Sequence, residues 1–160
     1  MTNLAEKAGV PARQGLPQAA AFLAYAGALP LIVTALLILL RPDDLGPGAQ
    51  RFMLVYGGLL IAFFGGVRWG VAVMRPEGPR FIHLVGGVIP LAFALPIFFL
   101  ADPGARFLLI LVALPILLID DLRATRKGSG APDWYLGVRA PLTILMEASF
   151  AIAFAQHLMS

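Results

Sequence analysis

The chain has 160 residues, 59% hydrophobic and 13% charged, with no cysteine and a formal net charge of +3. A soluble domain carries about 25% charged residues, so this composition excludes an ordinary water-soluble enzyme and points to a membrane. The missing thiols exclude disulfides, thiolate metal sites and iron–sulfur clusters. The basic residues fall between apolar runs, as juxtamembrane anchors do, so the positive balance does not indicate nucleic-acid binding.

Residues 1–18 form a polar segment, expected on the cytoplasmic side. The apolar run behind it is too long for a cleavable signal and reads as a retained first span. Five such runs follow one another at 19–40, 51–74, 81–100, 106–123 and 137–158. Each approaches the ~20 residues that cross a ~30 Å hydrocarbon core, and only helices satisfy their own backbone there. The expected architecture is all-α: one integral membrane bundle of five transmembrane helices over residues 19–158. Short turns such as Arg41-Pro42-Asp43-Asp44 and Asp102-Pro103-Gly104 make consecutive helices antiparallel neighbours.

The fourth span is the shortest, since only 107–119 is uninterrupted. Loop charge decides it. Five spans put Lys7, Arg13, Arg75, Arg80, Arg123, Arg126 and Lys127 on one side, against Arg41, Arg51 and Arg106 on the other. Four spans reverse that bias. The chain therefore reads as five spans with the N-terminus cytoplasmic and the C-terminus outside, in a bacterial inner membrane. The fourth helix must then run past Asp120, which sits at the inner hydrocarbon boundary.

Two stripes of small residues mark helix faces. Gly58, Ala62, Gly66 and Gly70 recur every four residues along the second span, a ridge that lets another backbone approach closely. In the fifth span Ala140, Thr143, Glu147, Ala151 and Ala155 share a face, with Leu142, Leu145 and Ile152 opposite. That spacing turns Glu147 into the bundle and the large side chains toward lipid. Prolines lie inside four spans, at Pro30, Pro90 with Pro96, Pro115 and Pro141, where each frees a carbonyl one turn earlier.

An ionisable side chain in hydrocarbon costs roughly 2.5–3.5 kcal/mol on insertion scales, so Arg68 and Glu147 need partners. Their expected depths differ by only ~5 Å at ~1.5 Å rise per residue, within reach of an arginine. The expected polar cluster is Arg68, Asp120 and Glu147, with Trp69, Trp134, Tyr135 and Arg139 capping it at the cytoplasmic interface and Thr143 beside it. No phosphate-cradling loop, nucleophile constellation or metal set stands in the sequence, and no cofactor is expected.

Tyr56, Gly65-Gly66-Val67-Arg68-Trp69-Gly70, Pro90 after Gly86-Gly87, Asp120-Asp121, and Pro132-Asp133-Trp134-Tyr135 leading to Arg139-Ala140-Pro141-Leu142-Thr143 together resemble a bacterial family of unknown function that includes the eukaryotic transmembrane protein 69. The resemblance covers roughly residues 20–156 and implies a five-helix membrane protein.

Two functions compete. One is a non-enzymatic accessory or assembly component of a larger membrane complex, whose partners are the bilayer and other membrane subunits or further copies of itself. The alternative is a small transporter or ligand-binding protein that uses Arg68 and Glu147. An enzyme ranks below both.

Overall fold

The computed structural model describes residues 15–128, 130–132 and 134–159. Most of the polar N-terminal segment, with Lys7 and Arg13, and Asp133 in the fourth connection lie outside the described residues. All regular structure among the described residues is helical: α1 (Gln18–Leu40), α2 (Gly46–Val73), α3 (Phe81–Phe99), α4 (Pro103–Arg126) and α5 (Tyr135–Met159). Each expected span thus falls on one helix, within a few residues at each end.

Local chemistry explains the boundaries. Proline at the first helical turn starts α2 several residues before its apolar run, because Pro47 loses an N–H that has no helical partner there. Asp102 caps α4, its carboxylate accepting from the backbone N–H groups of Gly104 and Ala105 at 3.3 and 2.8 Å. Arg106 reaches back across that turn and donates to the Leu100 carbonyl at 2.5 Å, one of the carbonyls left open where α3 ends. Gly128 stops the chain after α4 with φ of 73°, a left-handed conformation that glycine adopts without strain.

Helix α2 is the hub, packed against α1, α3 and α4, while α5 closes the bundle against α1 and α4. Its buried stripe runs Leu54, Gly57, Gly58, Ile61, Phe64, Gly65 and Ala72. The core around it is fully buried Leu31, Ile38, Met53, Ile110, Met146 and Phe150. Glycine makes this close packing possible. A Cβ on Gly57 would lie 2.7 Å from the Phe150 ring, and one on Gly58 2.7 Å from the Phe98 ring. A Cβ on Gly65 would lie 2.6 Å from the Gly87 carbonyl oxygen.

The four residues of the expected ridge meet different surroundings. Gly58 packs as expected and Ala62 is half-buried, but Gly66 and Gly70 have nothing within 4 Å of a built Cβ. The approach to α3 uses Gly65 and Trp69, one residue around the helix. In α5 the expected faces are also rotated by about one residue, or ~100°. Leu142, Met146, Phe150 and Ala153 are buried with Arg139 and Thr143, whereas Ala151 and Ala155 are exposed. Shape filling decides the buried face of α5, so its large side chains fill the core.

Among the described residues, four helices, α1, α2, α3 and α5, are long and apolar enough to cross a membrane. Helix α4 is 24 residues long, with Arg106 near its start and Asp120, Asp121 and Arg123 near its end. Exposed Leu108, Val112, Ile116 and Ile119 form a continuous outward apolar stripe on it.

Candidate functional site

Arg68 continues the buried stripe of α2, three residues beyond Gly65 and seven beyond Ile61. Its side chain is only 13% exposed and crosses to the end of α4. Nε donates to Asp121 Oδ1 at 2.7 Å and Nη1 to Asp120 Oδ2 at 2.9 Å. Nη2 donates to the backbone carbonyl of Leu117 at 2.7 Å. Three helix-bound acceptors thus hold one guanidinium, and each of its nitrogens has a partner.

Asp121 is the central acid. Its other oxygen, Oδ2, accepts from Arg139 Nε at 3.1 Å, so a single carboxylate bridges arginines from α2 and α5. Arg139 is 2% exposed. Its Nη1 donates to Thr143 Oγ1 at 2.6 Å, and that hydroxyl donates in turn to the Arg139 carbonyl at 2.8 Å. The flat face of the guanidinium lies 3.5 Å from the centroid of the Phe64 ring, a cation–π contact in a desolvated place. Tyr135, at the first position of α5, stands within electrostatic range of Asp121, Arg139 and Arg68.

This arrangement corrects three expectations. Asp120 does meet Arg68, but its side chain is 59% exposed and it forms the outer edge of the site; Asp121 occupies the buried position. Arg139 is not an interfacial cap but a core member of the ion cluster. Glu147 does not join: it is half-buried, and its buried Oε1 has no hydrogen-bond partner among the described residues. It lies two turns beyond Arg139 along α5, ~12 Å by helical rise, while Asp120 and Asp121 already engage Arg68. The nearer acids intercept the arginine.

The aromatic residues divide. Trp69 backbone and Cβ atoms lie 3.0–3.1 Å from a Cβ built on Gly87, so Trp69 packs against α3 while 43% exposed. Trp134 is half-buried in the connection before α5, where its carbonyl accepts from the Gly137 N–H at 3.0 Å. A sequence signal exists for Asp121, absent from the expected cluster, and for the buried position of Arg139. Asp121 follows Phe107, Ile110, Leu114 and Leu117 in helical phase, and Arg139 precedes Leu142, Met146 and Phe150 in the same way.

Chemically, two guanidiniums from α2 and α5 bridged by one carboxylate of α4 form an electrostatic lock on one end of the bundle. Removing Asp121 would leave buried Arg139 without a carboxylate partner and Arg68 with exposed Asp120 alone.

The sequence profile of the family DUF3429, described as "Protein of unknown function", matches residues 16–155. The chain is 29% identical over 139 residues to "Transmembrane protein 69" of Xenopus tropicalis, covering 85% of this chain and 53% of that protein. It is 25% identical over 139 residues to "Transmembrane protein 69" of Mus musculus, covering 85% and 55%. The chain spans about half the length of the curated relatives it matches. No solved structure matches it.

Proposed function

The chain belongs to the DUF3429 family and is a membrane protein, and from that premise we propose that it is a non-enzymatic accessory or assembly component of a larger membrane complex. One observation carries the reading. Gly66 and Gly70 form a GxxxG pair on α2 that no described residue fills, since nothing lies within 4 Å of a Cβ built on either. In a bilayer such a pair is where a second helix backbone approaches closely.

The proposal includes five spans with the N-terminus cytoplasmic. Support comes from the outward apolar stripe of α4 and from the pairing of its terminal charges: Arg106 on α3 carbonyls, Asp120 and Asp121 on arginines. Loop charge sets the orientation. The proposed location is a bacterial inner membrane, a reading supported by the helical architecture, since outer-membrane spans are closed β-barrels. The transporter reading has less support, since Arg68 is fully engaged by α4 and no bond joins it to Glu147.

The test is native electrophoresis and cross-linking in mild detergent of the wild-type chain and of Gly66→Ile with Gly70→Ile. The wild type should migrate in a species larger than the monomer, and the variant should fall to the monomer with unchanged thermal stability. A wild type that is monomeric even in native lipid, or an assembly indifferent to the two isoleucines, refutes the proposal.

A further inference from the structure

A cavity of about 540 Å³ opens between α2, α3 and α4, beside the ion cluster and independent of the open GxxxG pair. Its walls are of two kinds. Val67 and Val71 of α2 face Ile82, Val85 and Ile89 of α3 across an apolar trough. Ile82 and Ile89 are 64% and 45% exposed, so the trough continues into the outer surface of α3. The rim is cationic, with Arg68, Arg75, Arg123 and Lys127 set against Asp120 and Asp121.

These cations are not equivalent. Arg68 is engaged by α4. Arg75 holds the His83 ring at 2.7 Å, the Gly128 carbonyl at 2.7 Å and Glu77 at 3.4 Å. Both rim carboxylates are already paired with arginines. Arg123 and Lys127 form no ion pair among the described residues, and both are exposed. They stand four residues apart around the end of α4, one helical turn, so both can reach the same anion.

We propose that this cavity binds an anionic glycerophospholipid, its phosphate held by Arg123 and Lys127 and the upper part of one acyl chain laid along Val67, Val71, Ile82, Val85 and Ile89. Charge complementarity selects the headgroup: the two rim charges without an ion pair among the described residues are positive. The apolar trough selects an amphiphile over a free ion, because inorganic phosphate leaves that wall bare to water. Basic pockets between spans at the cytoplasmic face recognise lipid headgroups in this way. The volume suits a headgroup and part of one chain, within the range of ordinary ligand sites.

The experiment uses the full chain in detergent, delipidated, then supplied with phosphatidylglycerol, phosphatidylcholine or inorganic phosphate, and read by native mass spectrometry and thermal melting. Phosphatidylglycerol should remain bound and raise the melting temperature, while the other two should not. The double variant Arg123→Gln with Lys127→Gln should bind phosphatidylglycerol roughly thirtyfold more weakly, at about five- to sixfold per cation near an anionic surface. Arg41→Gln with Arg51→Gln, at the opposite end of α2, should bind normally. The proposal is overturned by equal retention of phosphatidylcholine, by an equal shift from inorganic phosphate alone, or by undiminished binding in the double variant. A normal melting temperature of the lipid-free double variant confirms that it folds. If it does not fold, Val85→Asp, which disrupts the trough and leaves both cations, takes its place with the same expected loss.

Discussion

Helix α2 is held in two different ways along its length. Around Gly57, Gly58 and Gly65 it is gripped by rings and backbone packed where a Cβ would be, with no charged partner. Three residues past Gly65, Arg68 is gripped by carboxylates and a carbonyl. Dispersion in the first region is spread over many atoms and tolerates exchange of similar volumes. Electrostatics in the second is concentrated in Asp121, so one substitution can undo it. The difference teaches that these two regions of α2 should fail differently, one by overfilling and the other by loss of a single charge.

The largest expected effect is at the ionic end. Asp121→Ala leaves Arg68 and Arg139 without their shared counter-charge and should cost about 3–5 kcal/mol, read as a fall in the thermal midpoint in detergent. A loss below about 1 kcal/mol would mean that this end, too, is held mainly by packing. Next comes the packed region, as a paired test on adjacent residues. Gly65→Ala drives a Cβ into the Gly87 carbonyl oxygen and should cost about 1–3 kcal/mol. Gly66→Ala meets nothing and should be neutral or gain about 0.5–1 kcal/mol from helix propensity. Equal effects at the two positions would erase the packing half of the contrast.

A smaller effect is expected for Tyr56→Phe. The Tyr56 hydroxyl donates to the Gly27 carbonyl of α1 at 2.7 Å, beside the carbonyl that Pro30 leaves without a helical N–H. Its loss should cost about 0.5–1.5 kcal/mol by the same melting assay. The smallest belongs to Asp120→Asn. This acid is exposed, and its pair with Arg68 should contribute less than about 1 kcal/mol and weaken further in high salt. An effect as large as that of Asp121→Ala would reassign the central role to Asp120.

The number and order of helices were legible because apolar runs of spanning length between Pro/Gly turns leave little choice in a membrane. Arg68 was legible as a buried charge. Which acid answers it was not, because Asp120 and Asp121 differ only by ~100° of rotation. The expected face of α5 was wrong for a related reason. A small-residue stripe predicts the protein-facing side, whereas Leu142, Met146 and Phe150 fill the core beside α1 and α4. Phase with the bulky stripe would have placed Asp121 and Arg139 inside and Glu147 at the margin. Gly66 and Gly70 carry the same lesson: a ridge of glycines marks where a helix can approach, and in this chain the approach is made one residue away at Gly65.

Arg75 lies just beyond α2 and donates to the carbonyl of Gly128, beyond the end of α4, while holding His83 of α3. One side chain therefore fastens the two connections on that side of the bundle to each other. Neither can peel away alone without breaking the clasp, so the hairpins α2–α3 and α4–α5 are expected to loosen together, as one cooperative unit of local unfolding.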